Sequence, residues 1–203
     1  MAKRIDRTRT LKLVQIALIT AIVIVLQLVG ASIRLGTFSV SLVLVPIVIG
    51  AILYGPIAGA WLGLVFGVTV LLSGDASLFL GFSPAGTIIT VLLKGILAGF
   101  VSGVVYKSLS KWKKYPAVII TAAVCPIVNT GVFLLGCFTF FYKYLPDIGS
   151  AIGLDSIGSP FAFVITVLIG LNFVFEVILN VALAPVIVRI TDLGKKALAK
   201  RSK

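Results

Sequence analysis

Histidine is absent from the 203 residues of the chain, and acidic residues number only six. Without histidine there is no histidine-based triad, no imidazole metal ligand and no imidazole proton shuttle. Only one acid, Glu176, lies deep in an apolar segment, so no carboxylate pair is available for acid–base work or for a metal. A GxxxxGK[ST] phosphate loop is also missing. We therefore expect no enzyme, no ATP hydrolysis by this chain, no catalytic residue, no metal and no cofactor.

Charge is scarce as well, at 12% of the residues against 60% that are hydrophobic. The runs 13–33, 35–74 and 115–142 contain no charged residue. Each run can cross a bilayer, because a spanning helix needs roughly 20 apolar residues. The composition predicts an all-α membrane protein with one domain over residues 1–203.

Six transmembrane helices account for the apolar segments. The run 35–74 is too long for one span, and Tyr54-Gly55-Pro56 is a turn signal near its middle. The predicted helices lie near residues 11–30, 39–53, 56–73, 85–107, 116–141 and 161–189.

Fifteen of the 18 basic residues fall into three clusters that a six-helix plan places on one side of the membrane. They are Lys3, Arg4, Arg7, Arg9 and Lys12; Lys107, Lys111, Lys113 and Lys114; and Arg189, Lys195, Lys196, Lys200, Arg201 and Lys203. By the positive-inside rule both termini face the cytoplasm, with residues 1–10 as a basic N-terminus and residues 192–203 as a basic tail. The net charge of +12 thus indicates topology and contact with a phospholipid membrane, and not nucleic-acid binding.

Glycine and alanine recur at intervals of four residues in three of the predicted helices. Small residues with this spacing let helices approach closely in lipid. The two glycine series, expected to serve packing, are Gly55, Gly59, Gly63 and Gly67, and Gly95, Gly99 and Gly103. Ala17 and Ala21 have the same spacing in the first helix and are a candidate contact for another membrane subunit.

A few polar side chains lie at membrane depth, where they usually face a wet cavity or a protein interior. They are Thr87, Lys94, Asn129, Asn172, Glu176 and Asn180. Two interpretations stay open: a ligand site, or a structural lock in which Lys94 and Glu176 neutralise each other while the asparagines bond between helices. We favour the ligand site because three helices contribute to it, and we expect Asn180, the deepest, to bond between helices.

Three segments resemble a known family. They are SLVLVPIVIGAILYGPIAGAWLGLVFGVTVLL (Ser41 to Leu72), SPAGTIITVLLKGILAGFVSGVVYKSL (Ser83 to Leu109) and CPIVNTGVFLLG (Cys125 to Gly136). This pattern is similar to the substrate-binding S component of energy-coupling factor (ECF) vitamin transporters. Its most telling part is the run from Pro46 to Gly59 at the turn between the second and third helices.

The resemblance implies a multi-pass protein of the cell membrane that binds a vitamin near the outer face. It also implies partners, namely one transmembrane coupling subunit and two ABC ATPase subunits, which would hydrolyse ATP for the transporter. The S component is expected to carry its ligand inward by toppling within the membrane. The Ala17-x-x-x-Ala21 pair looks like the motif by which such components dock to the coupling subunit.

The loop GTFSVSLVLVPI, residues 36–47, looks most like that of pantothenate-type components. Lys94 and Arg34 suit the carboxylate of pantothenate, because charge-assisted hydrogen bonds to an anion are strong. Its polar backbone would be bound by Asn129, Asn172 and Thr87. Glu176 fits beside an anion only if it orients Lys94 or stays protonated, so riboflavin, folate and other vitamins remain open. A stand-alone channel or facilitator is the alternative of another class.

Overall fold

A computed structural model describes the backbone of residues 2–32, 34–35, 38–39, 42–153 and 159–202, and the side chains of residues 9–32, 42–153, 159–166, 170 and 173–194. Within these ranges the chain is helical apart from turns and a hairpin that pairs Arg34–Leu35 (β1) with Phe38–Ser39 (β2). The α-helices in this part of the chain are α1 (Ala2–Ser32), α2 (Leu44–Tyr54), α3 (Pro56–Leu72), α4 (Ser77–Phe82), α5 (Pro84–Leu109), α6 (Lys114–Gly136), α7 (Leu145–Ala151), α8 (Pro160–Phe163), α9 (Gly170–Ala182) and α10 (Ala184–Ser202). The all-α fold class is confirmed.

The predicted turn between the second and third helices is confirmed at Gly55. This residue has a φ of 92°, which favours glycine because a side chain is strained there. Pro56 begins α3, where its missing N–H leaves no bond unmade. Two apolar helices that the charge pattern could not separate are therefore divided by this dipeptide.

The sixth predicted helix, 161–189, is wrong as one continuous element. After α8 the chain forms a π-helical segment, Val164–Ile169, and α9 and α10 are bent by 50° across Leu183. Gly170 has a φ of 30°, which marks the end of the π segment. Pro185 explains the second break, because its ring clashes with the carbonyl four residues earlier in an unbroken helix.

Helices α3 and α5 meet along a glycine seam, which we define as Gly59 and Gly63 of α3 with Gly95 and Gly99 of α5. A Cβ atom on Gly59 or Gly99 would overlap the carbonyl oxygen of the other residue, and Gly63 and Gly95 block each other in the same way. The backbones of the two helices are thus in direct contact. The prediction of close packing is confirmed for these four glycines and for Gly67 and Gly103, where a Cβ atom would also meet backbone. It is wrong for Gly55, where a Cβ atom meets nothing within 4 Å.

Two clusters of buried side chains fill the bundle. The inner core takes residues from α1, α2, α3, α5, α6 and α10, and includes Leu44, Ile47, Leu62, Val118 and Ile187. The aromatic cluster is built on Phe141, Leu145, Ile148 and Phe163, with Phe79, Phe82, Phe133, Phe138, Phe140, Tyr144 and Phe173 packed against it. Both cysteines are free and buried, Cys125 in the inner core and Cys137 in the aromatic cluster.

Polar contacts tie helices together at both ends of the bundle. At the end that carries the chain termini, Lys114 at the start of α6 forms an ion pair with Asp192 of α10. At the opposite end, the Gln27 amide of α1 donates to Asp75, which follows α3. The side chains between these levels are mainly apolar, as expected for a bilayer.

In the part of the chain that the structure describes, three helical stretches are long and apolar enough to cross a membrane, and α9 with α10 makes a fourth if the bent pair counts as one span. The three are Arg9–Ser32, Pro84–Leu109 and Lys114–Ala151. The apolar helices α2 and α3 are shorter, at 11 and 17 residues. The chain thus has the character of a membrane protein, while six spans and the side of the termini stay predictions.

Candidate functional site

Lys94 lies where three helices converge. Its Nζ atom is 5.7 Å from the ring centroid of Phe66 on α3 and 5.5 Å from that of Phe133 on α6. A cation within about 6 Å of an aromatic face is attracted by the ring quadrupole. The ammonium of α5 is therefore held between rings of α3 and α6.

Glu176 of α9 is the second ionisable residue that the sequence pattern singled out. It is buried at 5% exposure, and its helix packs against α6, which also bears Phe133. A direct pairing of Lys94 with Glu176 stays a prediction.

Three buried polar side-chain atoms in the described part of the chain lack a hydrogen-bond partner. They are Oδ1 of Asn129 on α6, Oγ1 of Thr90 on α5 and Oδ1 of Asn180 on α9, in residues that are 6%, 3% and 0% exposed. An unsatisfied buried polar group costs about 1–3 kcal/mol. Gly136 leaves room for Thr90, because a Cβ atom there would overlap the threonine side chain. Thr90 thus packs against the backbone of α6, and a ligand-binding role of Asn129 stays a prediction.

Thr87 and Asn180 already make bonds within their own helices. The Thr87 hydroxyl donates to the Ser83 carbonyl at 2.8 Å, and the Asn180 amide donates to the Glu176 carbonyl at 2.9 Å. The sequence predicted an interhelical bond for Asn180, whereas this bond lies inside α9. Its Oδ1 atom has no partner among the described residues.

Two predicted site residues lie outside the described side chains. Arg34 is in strand β1 and Asn172 is in the first turn of α9, but only their backbones are described. Their roles stay predictions.

The aromatic cluster borders the Lys94 site through Phe133. Phe79 of α4 packs edge-on against Phe133 with ring centroids 5.5 Å apart, and against Phe141 at 5.0 Å. Phe133 thus contacts both Lys94 and the aromatic cluster. The site has an apolar wall on the side of α4.

Sequence reasoning missed Phe66 and Thr90 as residues near Lys94, and it missed the hydrogen bond between Gln27 and Asp75. Thr90 had a usable signal, because it lies four residues before Lys94 and so shares its helix face. The other contacts had none, since they join segments that are distant in the sequence.

Ala17 and Ala21 are exposed on α1, on a different part of the surface from Lys94. A groove of about 700 Å³ runs between α1 and the α2–α3 turn, and its lining includes Ala17, Tyr54 and Trp61. Its rim is fixed by two hydrogen bonds to α1, from Tyr54 to Gln15 at 2.8 Å and from Trp61 to Thr20 at 3.3 Å. Small residues, a groove and fixed aromatics are features of a surface that can receive another helix.

The family model described as "ECF transporter, substrate-specific component" matches residues 11–188. The chain belongs to this family. Its members are substrate-binding components of transporters and not enzymes, and the family implies a vitamin-type substrate and an ECF module as partner. No curated protein and no solved structure is significantly similar to the chain.

Proposed function

We propose that this ECF component binds a vitamin in the Lys94 site, and that the vitamin is pantothenate. The observation that carries the proposal is the placement of Lys94 between Phe66 and Phe133, next to helices that bear unpartnered polar atoms. An ammonium held in this way suits a carboxylate, because a charge-assisted hydrogen bond is strong away from bulk water.

Pantothenate carries hydrogen-bond donors, which the unpartnered acceptor of this site needs. Its hydroxyl and amide N–H groups are donors, and Oδ1 of Asn129 is an acceptor without a partner. Thr90, Thr87, Asn172 and Arg34 are assigned to the remaining polar groups of the ligand. Glu176 orients the Lys94 ammonium, which explains an acid close to an anion site.

The aromatic cluster supports a second candidate ligand. Phe133 lies beside Lys94 and next to Phe79, and a flat ring such as that of riboflavin or folate would pack against these aromatic side chains. This alternative predicts that the flat vitamin binds more tightly than pantothenate.

Transport is proposed to need partners. The exposed Ala17 and Ala21 would contact the transmembrane coupling subunit, which two ABC ATPase subunits drive. With six spans and both termini in the cytoplasm of a cell-membrane protein, the chain would topple to carry its ligand inward. The exposed apolar side chains of α1, such as Leu13, Val14 and Leu18, tolerate such tilting in lipid.

The class of function is tested by reconstituting the purified chain alone in liposomes. We expect one vitamin bound per chain and no ATP-driven uptake until the ECF module is added. Ligand flux through the chain alone would indicate the channel or facilitator alternative. Absence of any vitamin binding would indicate a structural lock.

A further inference from the structure

A second groove, which we call the α10 groove, runs between α1, α2 and α10. Its volume is about 520 Å³, and its lining includes Ile22 of α1, Ile49 of α2 and Ile190 of α10. Gln15 and Tyr54 are the polar residues of the lining, and the other lining residues are apolar. The groove is therefore a site for an apolar group that has a polar part at one end.

The length of the α10 groove matches one leaflet of a bilayer. Along α1 the lining extends from Gln15 to Leu26, which at 1.5 Å per residue is about 16 Å. The hydrocarbon core of a bilayer is about 30 Å thick, so one leaflet supplies about 15 Å of acyl chain. Leu183, where α9 and α10 are bent by 50°, also lines the groove.

The polar end of the groove lies at the end of the bundle that carries the chain termini. There the Tyr54 hydroxyl of α2 donates to the Gln15 side chain of α1 at 2.8 Å. Gly194 of α10 lies at the same level, since a Cβ atom on it would be 3.1 Å from the side chain of Leu53. Three helices thus converge where a bound molecule would place its polar part.

This end of the groove is rich in positive charge. Lys12 of α1 is exposed, and it lines the neighbouring groove together with Tyr54, which borders both grooves. On α10, Lys195 and Lys196 directly follow the last groove residue in the sequence. Asp192, the acid of the same turn, is already paired with a lysine of α6. The charge around the polar end therefore favours an anion.

We propose that the α10 groove binds one anionic phospholipid, with an acyl chain along α1 and the phosphate headgroup at the basic end. An apolar chain and a basic patch act together on such a lipid, and basic pockets between membrane helices bind anionic headgroups. A helix of a protein partner would fill the apolar length but would leave the basic end without an anion. The inference goes beyond the proposed function and does not depend on vitamin binding.

The test compares two lipids that have the same acyl chains and different headgroups. The purified full chain, in a non-ionic detergent, is titrated with phosphatidylglycerol or phosphatidylcholine, and bound lipid is counted by native mass spectrometry. We expect one phosphatidylglycerol per chain, bound about tenfold or more tightly than phosphatidylcholine, because each nearby lysine favours an anionic headgroup about fivefold.

Two variants separate the headgroup from the acyl chain. Lys12→Gln should lower the preference for phosphatidylglycerol about fivefold, whereas Lys111→Gln, which removes an exposed charge from the α5–α6 connection, should not change it. Ile22→Trp places a ring in the groove and should weaken both lipids about fivefold or more. Its control is Leu28→Trp, because Leu28 is 46% exposed on α1, against 42% for Ile22, and does not line the groove.

Equal affinity for the two lipids, or equal effects of Lys12→Gln and Lys111→Gln, would overturn the proposal. So would an Ile22→Trp variant that binds lipid normally but no longer assembles with the ECF module, because the groove would then belong to a protein helix. If Ile22→Trp does not fold, Leu18→Trp takes its place, since Leu18 lines the groove and is 63% exposed. Vitamin binding is measured on the same samples, and its absence would overturn the proposed function without affecting the lipid result.

Discussion

The glycine seam and the Lys94 site share helix α5, yet they are built in opposite ways. In the seam, side chains are absent and the backbones of α3 and α5 fill the contact, with no room for a methyl group on Gly63. Around Lys94, aromatic rings of α3 and α6 flank a cation, and the neighbouring helices carry buried atoms, such as Oδ1 of Asn129, that have no partner among the described residues. One region is satisfied by its own backbone, and the other leaves polar atoms unsatisfied.

The glycine seam and the Lys94 site meet at the ring of Phe66. A Cβ atom on Gly95 would lie 3.3 Å from Cδ1 of Phe66, and the same Phe66 ring lies beneath the Lys94 ammonium. The seam therefore determines how closely α3 approaches α5 and so where one wall of the site stands. A rigid backbone contact thus supports a region that has unsatisfied polar atoms, and preorganisation of that region for a ligand is part of the proposed function.

The largest expected effect is on the seam. Gly63→Ala forces a methyl group onto the Gly95 carbonyl, which belongs to rigid backbone, so the free energy of unfolding should fall by about 2–3 kcal/mol. The control is Gly131→Ala on α6, where a Cβ atom meets nothing within 4 Å. That change should be neutral or stabilising by up to about 1 kcal/mol, because alanine favours a helix. Reversible denaturation in detergent measures the free energy of unfolding of both variants. Equal values for Gly63→Ala and Gly131→Ala would show that the glycine seam does not contribute to stability.

At the site itself, Lys94→Ala should weaken pantothenate binding at least tenfold, or about 1.4 kcal/mol, because the ligand loses a charge-assisted hydrogen bond. Lys143→Ala is the matched control, since Lys143 also lies over an aromatic ring, that of Tyr144 at 4.6 Å. Titration of both variants should show the loss only for Lys94. A structural lock would instead give loss of stability in Lys94→Ala with unchanged binding.

Asn129→Leu should change stability and binding in opposite directions. Replacing a buried amide that has an unpartnered oxygen with an apolar side chain should raise the free energy of unfolding by about 1 kcal/mol and lower ligand affinity about fivefold. Thr121→Val on the same helix is the control, because its hydroxyl already donates to the Ala117 carbonyl at 2.7 Å. Lower stability of Asn129→Leu together with unaltered affinity would favour a structural asparagine.

The smallest expected effect on binding is at α1. Ala17→Trp should leave vitamin affinity within about twofold, since Ala17 is on another surface, while uptake by the assembled transporter falls because a bulky ring prevents close helix packing. Leu135→Trp, at a residue of α6 that is 68% exposed, controls for adding a tryptophan to the lipid-facing surface. If Ala17→Trp abolished binding but spared assembly, the division between docking surface and ligand site would be wrong.

Much of the fold could be predicted from the sequence by local physical rules. The Gly55-Pro56 turn and the glycine seam depend on backbone freedom and on residue spacing, which are visible in a single sequence. Pro185 was visible in the sequence too, but the predicted helix 161–189 continued through it, whereas the structure breaks at Leu183.

The site was less predictable because it depends on contacts between distant segments. Lys94 and Glu176 were found because ionisable groups are rare at membrane depth. The hydrogen bond between Gln27 and Asp75 was missed, since only the packing of α1 against the α3–α4 connection brings Gln27 to this carboxylate. Likewise, the unpartnered oxygen of Asn129 is a property of the whole bundle and not of its own helix.

The most direct test of the central claim, that the Lys94 site holds a vitamin, is native mass spectrometry of the chain purified from cells without its partners. We predict one small molecule of pantothenate mass per chain, retained in the Lys143→Ala variant and lost in Lys94→Ala. A chain that carries no vitamin, or that carries one equally well without Lys94, would contradict the account.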